Sequence, residues 1–429
     1  MRHVLPLLLS ATIAAATALP APAQGPAEQP APPVEELVAE ALARAPLVAA
    51  RAATLAAAGE RERVAGALPD PELEGTLQNA GLDWSVGNEE MSMLAGEVRQ
   101  GLLWPGKRAA ARAVATAETA VATTALEASR RDVAVAVRTL YSQVYVLDRE
   151  RETLLASREL VDLLTETARS RYATGSGEQE GVIKAGIAAL RVEERLADLD
   201  AERASLVADL DRWLDRPGSA PLGRVRELPS PPAPAPDLER HAEELAPEVV
   251  QGEAAARVAE RRVEAARLDL RPNLSAGAGA GYRGDLDPVL LLRVGVELPW
   301  WKRSKQLPLL HAAEHELEAA RRELDDVRAM ARAEAARHVV AFRTADEQVR
   351  RVREGILPQA DAALDAARSS YLAGRGDFST VIDDFDLWLQ ARVQLARREA
   401  DRYAAWAILE HHVGAIHASH PQPLPGSTP

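Results

Sequence analysis

One run of landmarks occurs twice in this chain, in the same order and at nearly one spacing, so any fold for it has to be built from two copies of one unit. Ala45-Pro46 and Pro71 are answered 201 positions later by Ala246-Pro247 and Pro272. Lys107-Arg108, which follows a turn containing Trp and Pro, is answered at an offset of 195 by Lys302-Arg303. Tyr172-Ala173-Thr174-Gly175 with Val182-Ile183 is answered at 199 by Tyr371-Leu372-Ala373-Gly374 with Val381-Ile382. The copies span residues 34–216 and 238–417, joined by a Pro-rich linker, 217–237, and followed by a short tail, 418–429.

Each copy switches period from helix to strand and back. Residues 34–68 have a helical pattern that Pro71 breaks. Strands are predicted at about 71–80 and 91–103, then at about 272–283 and 288–298. Leu73, Gly75 and Leu77 alternate with Glu72, Glu74, Thr76 and Gln78, and Leu94, Gly96 and Val98 oppose Glu97 and Arg99. In the second copy Leu274, Ala276, Ala278, Ala280 and Tyr282 share a face, and Leu290, Leu292, Val294 and Val296 oppose Arg293 and Glu297. Long helices follow. Val133, Leu140, Leu147, Leu154 and Val161 recur every seven residues, with Val137 and Val144 in the second seam. The chain reverses at tip turns, 172–182 and 371–381, and returns on helices carrying Val192, Leu196, Leu199, Leu206 and Leu210, then Phe378 onward. Leu310, Leu317 and Leu324 mark the outgoing helix of the second copy, which is predicted to run to about Tyr371.

A sheet with one apolar and one charged face cannot sit in a membrane with open edges, because its backbone N–H and C=O groups would be unsatisfied. Membrane barrels need at least about eight strands. Four per chain therefore imply association, and two copies around a ring point to a trimer with a 12-stranded barrel. Trp84 and Tyr282 at one end, and Trp104, Trp300 and Trp301 at the other, suit interfacial girdles. The predicted fold class is mainly α, a duplicated α-β-β-α-α unit forming a long coiled-coil tunnel below a small barrel. A soluble periplasmic coiled coil with small β-caps is the competing architecture, and a trimeric mass in detergent separates the two. Residues 1–23, with Arg2, an apolar Val4–Leu19 stretch and Ala21-Pro22-Ala23, read as an export signal, with a Pro-rich spacer over 24–33. No cysteine is present, which excludes disulfides, thiol catalysis and an acylated N-terminal Cys. A net charge of −13 makes nucleic acid a poor partner. The chain lacks GxSxG and HExxH motifs and a phosphate loop, so it reads as no enzyme and as needing no cofactor.

The order of elements, the duplication and the two Tyr-x-x-Gly turns followed by Val-Ile resemble the TolC-like outer-membrane efflux proteins. The resemblance spans residues 34–417. It implies a homotrimeric channel-tunnel in the outer membrane of a Gram-negative-type envelope, in contact with outer-membrane lipid. The implied partners are a periplasmic adaptor (membrane fusion) protein and an inner-membrane pump. The run Gln100-Gly101-Leu102-Leu103-Trp104-Pro105-Gly106-Lys107-Arg108 is similar to members working with heavy-metal or multidrug resistance-nodulation-division pumps. A type I secretion conduit shares this architecture. A periplasmic adaptor, which usually has one hairpin flanked by β-rich domains, fits the two copies less well.

The resemblance places Tyr172, Gly175, Val182, Tyr371, Gly374, Arg375 and Val381 in adaptor-docking tips, although turn formation alone would also explain them. In the family a carboxylate nine residues beyond the tip glycine can face the lumen, and Asp383 stands there, followed by Asp384 and Asp386. The family's companion carboxylate three residues earlier is replaced by Thr380, and Lys184 occupies the equivalent place in the first copy. Three Asp383 carboxylates around a mouth would favour cations, whereas the plainer reading is an acidic helix start. His311 and His315 have the i, i+4 spacing of a metal pair without a further ligand signature, and His411, His412, His417 and His420 gather at the C-terminus. Gly81–Glu90 and Gly284–Asp287 are candidate external loops.

Overall fold

The computed structural model describes residues 29–79, 86, 91–218, 220–234 and 237–413. The export signal, Trp84, most of the Gly81–Glu90 loop, His417, His420 and the C-terminal tail lie outside the described residues. In the first copy α1 (Val34–Arg44) and α2 (Pro46–Ala65) lead into β1 (Glu72–Gln78) and β2 (Met93–Leu102), then α3 (Lys107–Ala173) and α4 (Gln179–Leu214). The second copy runs α5 (Leu238–Leu245), α6 (Pro247–Leu268), β3 (Asn273–Arg283), β4 (Leu286–Glu297), α7 (Gln306–Arg351), α8 (Leu357–Leu372) and α9 (Phe378–Val413). At 67 residues, α3 is about 100 Å long for a rise of 1.5 Å per residue.

Two helices expected to be continuous are broken, in both cases at a proline. The helix predicted over 34–68 divides at Ala45, because the residue before Pro46 is pushed to an extended ψ of 124°. Ala45 N–H then donates to Ala41 C=O at 2.7 Å and closes α1. The outgoing helix of the second copy does not run unbroken to Tyr371. Pro358 has no N–H, and its ring would strike the carbonyl four residues back, so the chain widens into a five-residue π-turn over Val352–Ile356 before α8. Pro288 does not delay β4, which begins two residues earlier than expected. A register irregularity between Gly281 and Arg283 absorbs the proline on this edge strand.

The four strands pair antiparallel in the order β1-β2-β3-β4, so the central pairing joins the two copies. Leu73, Val98, Ala278 and Leu292 form one row across all four strands; Gly75, Gly96, Ala280 and Leu290 form the next. This apolar face is open, with Leu292 78% and Val294 83% exposed. The opposite face is charged: Glu97 is buried and pairs with Arg293 at 3.1 Å, and Arg99 pairs with Glu72.

The main core lies at mid-length of α3, where Val133, Val137 and Val144 are fully covered by α1, α4 and Tyr403 of α9. The predicted seams are the ones buried. Val192 and Leu199 of α4 meet Leu154 of α3, and Leu324 of α7 meets Val249 and Ala256 of α6. No single described helix is long and apolar enough to cross a membrane. The bent α1–α2 pair has a suitable composition, but Val34, Leu37, Val38 and Ala41 are committed to the core.

Candidate channel mouth and membrane band

The two ends of the molecule carry different chemistry. At one end is the open apolar face of the sheet; at the other, α3–α4 and α8–α9 reverse in two hairpin tips. Each tip turns on a glycine in the left-handed region, Gly175 at φ 73° and Gly374 at φ 77°. The backbone bonds match: Gly175 N–H donates to Tyr172 C=O at 3.0 Å and Gly374 N–H to Tyr371 C=O at 2.9 Å. Gly175, Gly374 and Arg375 are exposed.

The other expected docking residues divide. Tyr172 is 50% exposed, whereas Tyr371 is only 5% exposed and Val381 is fully buried. Both belong to a small core with Leu164, Ala168, Ala185 and Phe378, and Val182 packs on its rim. Tyr371 meets Phe378 edge-on at 5.5 Å. The Arg171 guanidinium lies 4.9 Å from the Tyr371 ring, and its Nη1 donates to Tyr371 C=O at 3.2 Å. Lys184 Nζ donates to Ser379 Oγ at 2.9 Å and pairs with Glu180 at 2.7 Å. The first hairpin therefore grips the second at two polar points and one apolar one. Sequence reading missed Arg171 and Ser379, because each acts on a partner about 200 positions away.

The acidic run follows on α9. Thr380, Asp383 and Asp386 are exposed and Asp384 is half-buried. Asp383, Asp386, Lys184, Arg191 and Arg195 line one cleft of about 430 Å³ between α4 and α9. Desolvation pushes the Asp386 carboxyl above the usual carboxylate range; Arg191 opposes this and the nearby Asp383 charge adds to it. The hydrogen bond to Glu180 raises the Lys184 pKa, with the Asp377 and Asp383 charges adding to it. His311 and His315 are exposed on α7, and no third donor gathers round them among the described residues.

The sequence profile described as outer membrane efflux protein matches residues 238–415, which is the second copy from α5 to just beyond α9. The second copy matches the outer membrane efflux protein family. Among solved structures, the outer membrane protein VceC of Vibrio cholerae is 19% identical, with a TM-score of 0.74 over 89% of this chain and 96% of that one. CusC is 15% identical at a TM-score of 0.74, covering 89% of this chain and 92% of that one. The open state of the Neisseria gonorrhoeae MtrE outer membrane channel is 16% identical at 0.70, covering 90% and 89%. At these identities the likeness is one of fold, and it extends through both copies. No curated protein matches the chain at the level of sequence. Members of the efflux family are trimeric outer-membrane channels that work in tripartite efflux with an adaptor and a pump. They are channels and not enzymes.

Proposed function

We propose that three copies of this chain close their sheets into a 12-stranded barrel and form the outer-membrane conduit of a tripartite efflux system. The observation that carries this reading is the four-stranded sheet, with one continuous apolar face open to its surroundings and two unpaired edges. In water such a face is an aggregation hazard; in a bilayer it is a lipid contact, and pairing β4 with the next copy's β1 removes both edges. The helices supply a tunnel about 100 Å deep. Gly175, Gly374 and Arg375 would meet the periplasmic adaptor, and the pump beneath it, of the resistance-nodulation-division class, would supply the energy.

The conduit's cargo is a small cation, metal ions being the leading class. Asp383, Asp384 and Asp386 of three copies would ring the mouth, with Lys184 and Arg191 close enough to moderate their field. Purified protein in detergent should have the mass of a trimer and open conducting pores in planar bilayers. A deletion strain should be sensitive to copper, silver, zinc, cobalt or cadmium salts and recover with the wild-type gene. A monomer without pore activity would overturn the conduit, while sensitivity confined to dyes, detergents and antibiotics would move the cargo to organic compounds.

A further inference from the structure

Away from both the barrel and the tips, four helices from the two copies converge on a group of imidazoles and carboxylates. The last turn of α9 carries His411 and His412, and the first turn of α6 carries Glu248. Asp132 of α3 and Glu334 and His338 of α7 complete the group. We propose that His411, His412 and Glu248 bind a borderline divalent metal ion of the zinc class, with Asp132 and Glu334 as alternative or additional carboxylate ligands.

The geometry fits such an ion better than it fits an internal hydrogen-bond network. One donor atom from each of the three residues lies within 4.8 Å of the other two. His411 Nε2 and His412 Nδ1 each stand 4.0 Å from the same Glu248 oxygen, Oε1. A second carboxylate stands near the same nitrogen of each ring, Asp132 at 3.6 Å from His411 Nε2 and Glu334 at 3.7 Å from His412 Nδ1. These separations are too long for hydrogen bonds. They are close to the roughly 3.4 Å between neighbouring donors of a tetrahedral ion whose bonds are about 2.0–2.1 Å, so small side-chain rotations would complete the site. Imidazole with carboxylate is a donor set for zinc, copper or nickel, not for magnesium.

The surroundings hold the rings in place and leave an ion access. His338 stacks on His412 with centroids 4.7 Å apart, and His411 meets His412 edge-on at 5.0 Å, which fixes the ring planes. The His411 and His412 rings are mostly covered while Glu248 is half exposed, so an ion can enter past the carboxylate. Bound there, it would tie the C-terminal end of α9 to the start of α6. This site does not depend on which cargo the conduit carries.

The test uses the full-length detergent-solubilised protein, purified without a histidine tag, stripped with chelator and titrated with Zn²⁺ alone. Calorimetry should find one saturable Zn²⁺ site per chain, and zinc X-ray absorption should find two imidazoles in the coordination shell. Zn²⁺, but not Mg²⁺, should raise the thermal midpoint. His411→Asn/His412→Asn should abolish the site, and Glu248→Gln, an isosteric change at a half-exposed position, should weaken it about tenfold or more. If the histidine variant fails to assemble, the Glu248→Gln result decides. No saturable binding, or affinity unchanged in Glu248→Gln, would overturn the proposal. So would binding lost on His417→Ala/His420→Ala instead.

Discussion

At the end of α3 the Tyr172 ring is half exposed, whereas at the equivalent end of α8 Tyr371 is buried beneath the Arg171 guanidinium. The backbones of the two tips are alike to the φ of the turning glycine. Elsewhere too the copies diverge in side chains over a shared frame. Position 184 is Lys where its counterpart 383 is Asp. Asp211 of α4 is buried with one oxygen unpartnered, while its counterpart Glu410 of α9 pairs with Arg138 at 2.9 Å. The first outgoing helix is unbroken over 67 residues and the second is interrupted by a π-turn. The two copies thus turn at equivalent places, while their side chains differ: Arg171 and Lys184 of the first hairpin hold Tyr371 and Ser379 of the second, and Tyr172 is left exposed where Tyr371 is buried.

The largest expected effect separates the two tyrosines. Tyr371→Ala removes a buried ring and should cost about 3 kcal/mol, while Tyr172→Ala should stay within about 0.5 kcal/mol. Hydrogen exchange of the tip amides would read the difference, and equal loss of protection in both variants would erase the asymmetry. Gly175→Ala and Gly374→Ala should instead behave alike, each costing roughly 1–2 kcal/mol because both positions need a left-handed backbone. A strong disparity would mean that the tips do not share one frame.

Charge gives the next contrast. In planar bilayers Asp383→Ala should shift the reversal potential toward anion permeation and Lys184→Met toward cation permeation. Two unmoved potentials would remove both residues from the mouth. The smallest effect is expected at the second counterpart pair. Asp211 has its carboxyl pushed up by desolvation, so the folded chain holds that proton more tightly than the unfolded one. Its charge is therefore a penalty at neutral pH, which is relieved as pH falls through the raised folded value toward the unfolded one. Asp211→Asn should stabilise by about 1 kcal/mol at pH 7, with the gain vanishing in acid. Glu410→Gln should destabilise at pH 7, and thermal melts across pH would check both.

What could be read in the sequence was what repeats locally. Alternation over Leu73–Leu77 and Leu290–Val296 gave the strands and their exposed faces, and the seven-residue spacing from Val133 to Val161 gave a seam buried first against α1 and α4 and, at Val161, against α8 and α9. Prolines inside apolar patterns were harder. Pro46 and Pro358 each sit in a run whose periodicity is helical, and only the geometry of the neighbouring carbonyls decides between a break and a π-turn. Contacts between copies leave no local trace at all. Arg171 reaches Tyr371 from 200 positions away, and the i, i+4 spacing of His311 and His315 puts them on one exposed helix face with no further ligand among the described residues. His411 and His412 point about 100° apart on an ideal helix, and they become neighbours of one carboxylate only when α6 brings Glu248 to them.

The pairing of β2 with β3 also sets an order of events. Leu94 faces Tyr282, a partner 188 positions further along the chain, so the central seam of the sheet cannot form until nearly the whole of the second strand pair has been made. The α3–α4 hairpin, whose contacts are local, can zip first and bring Leu214 against Val137 at mid-length of α3, which shortens the loop that β2 and β3 have to close. Until then β2 carries an unmatched edge and an apolar face through an aqueous compartment. Barrel assembly is for this chain a late step, and its vulnerable interval is set by the length of its own tunnel helices.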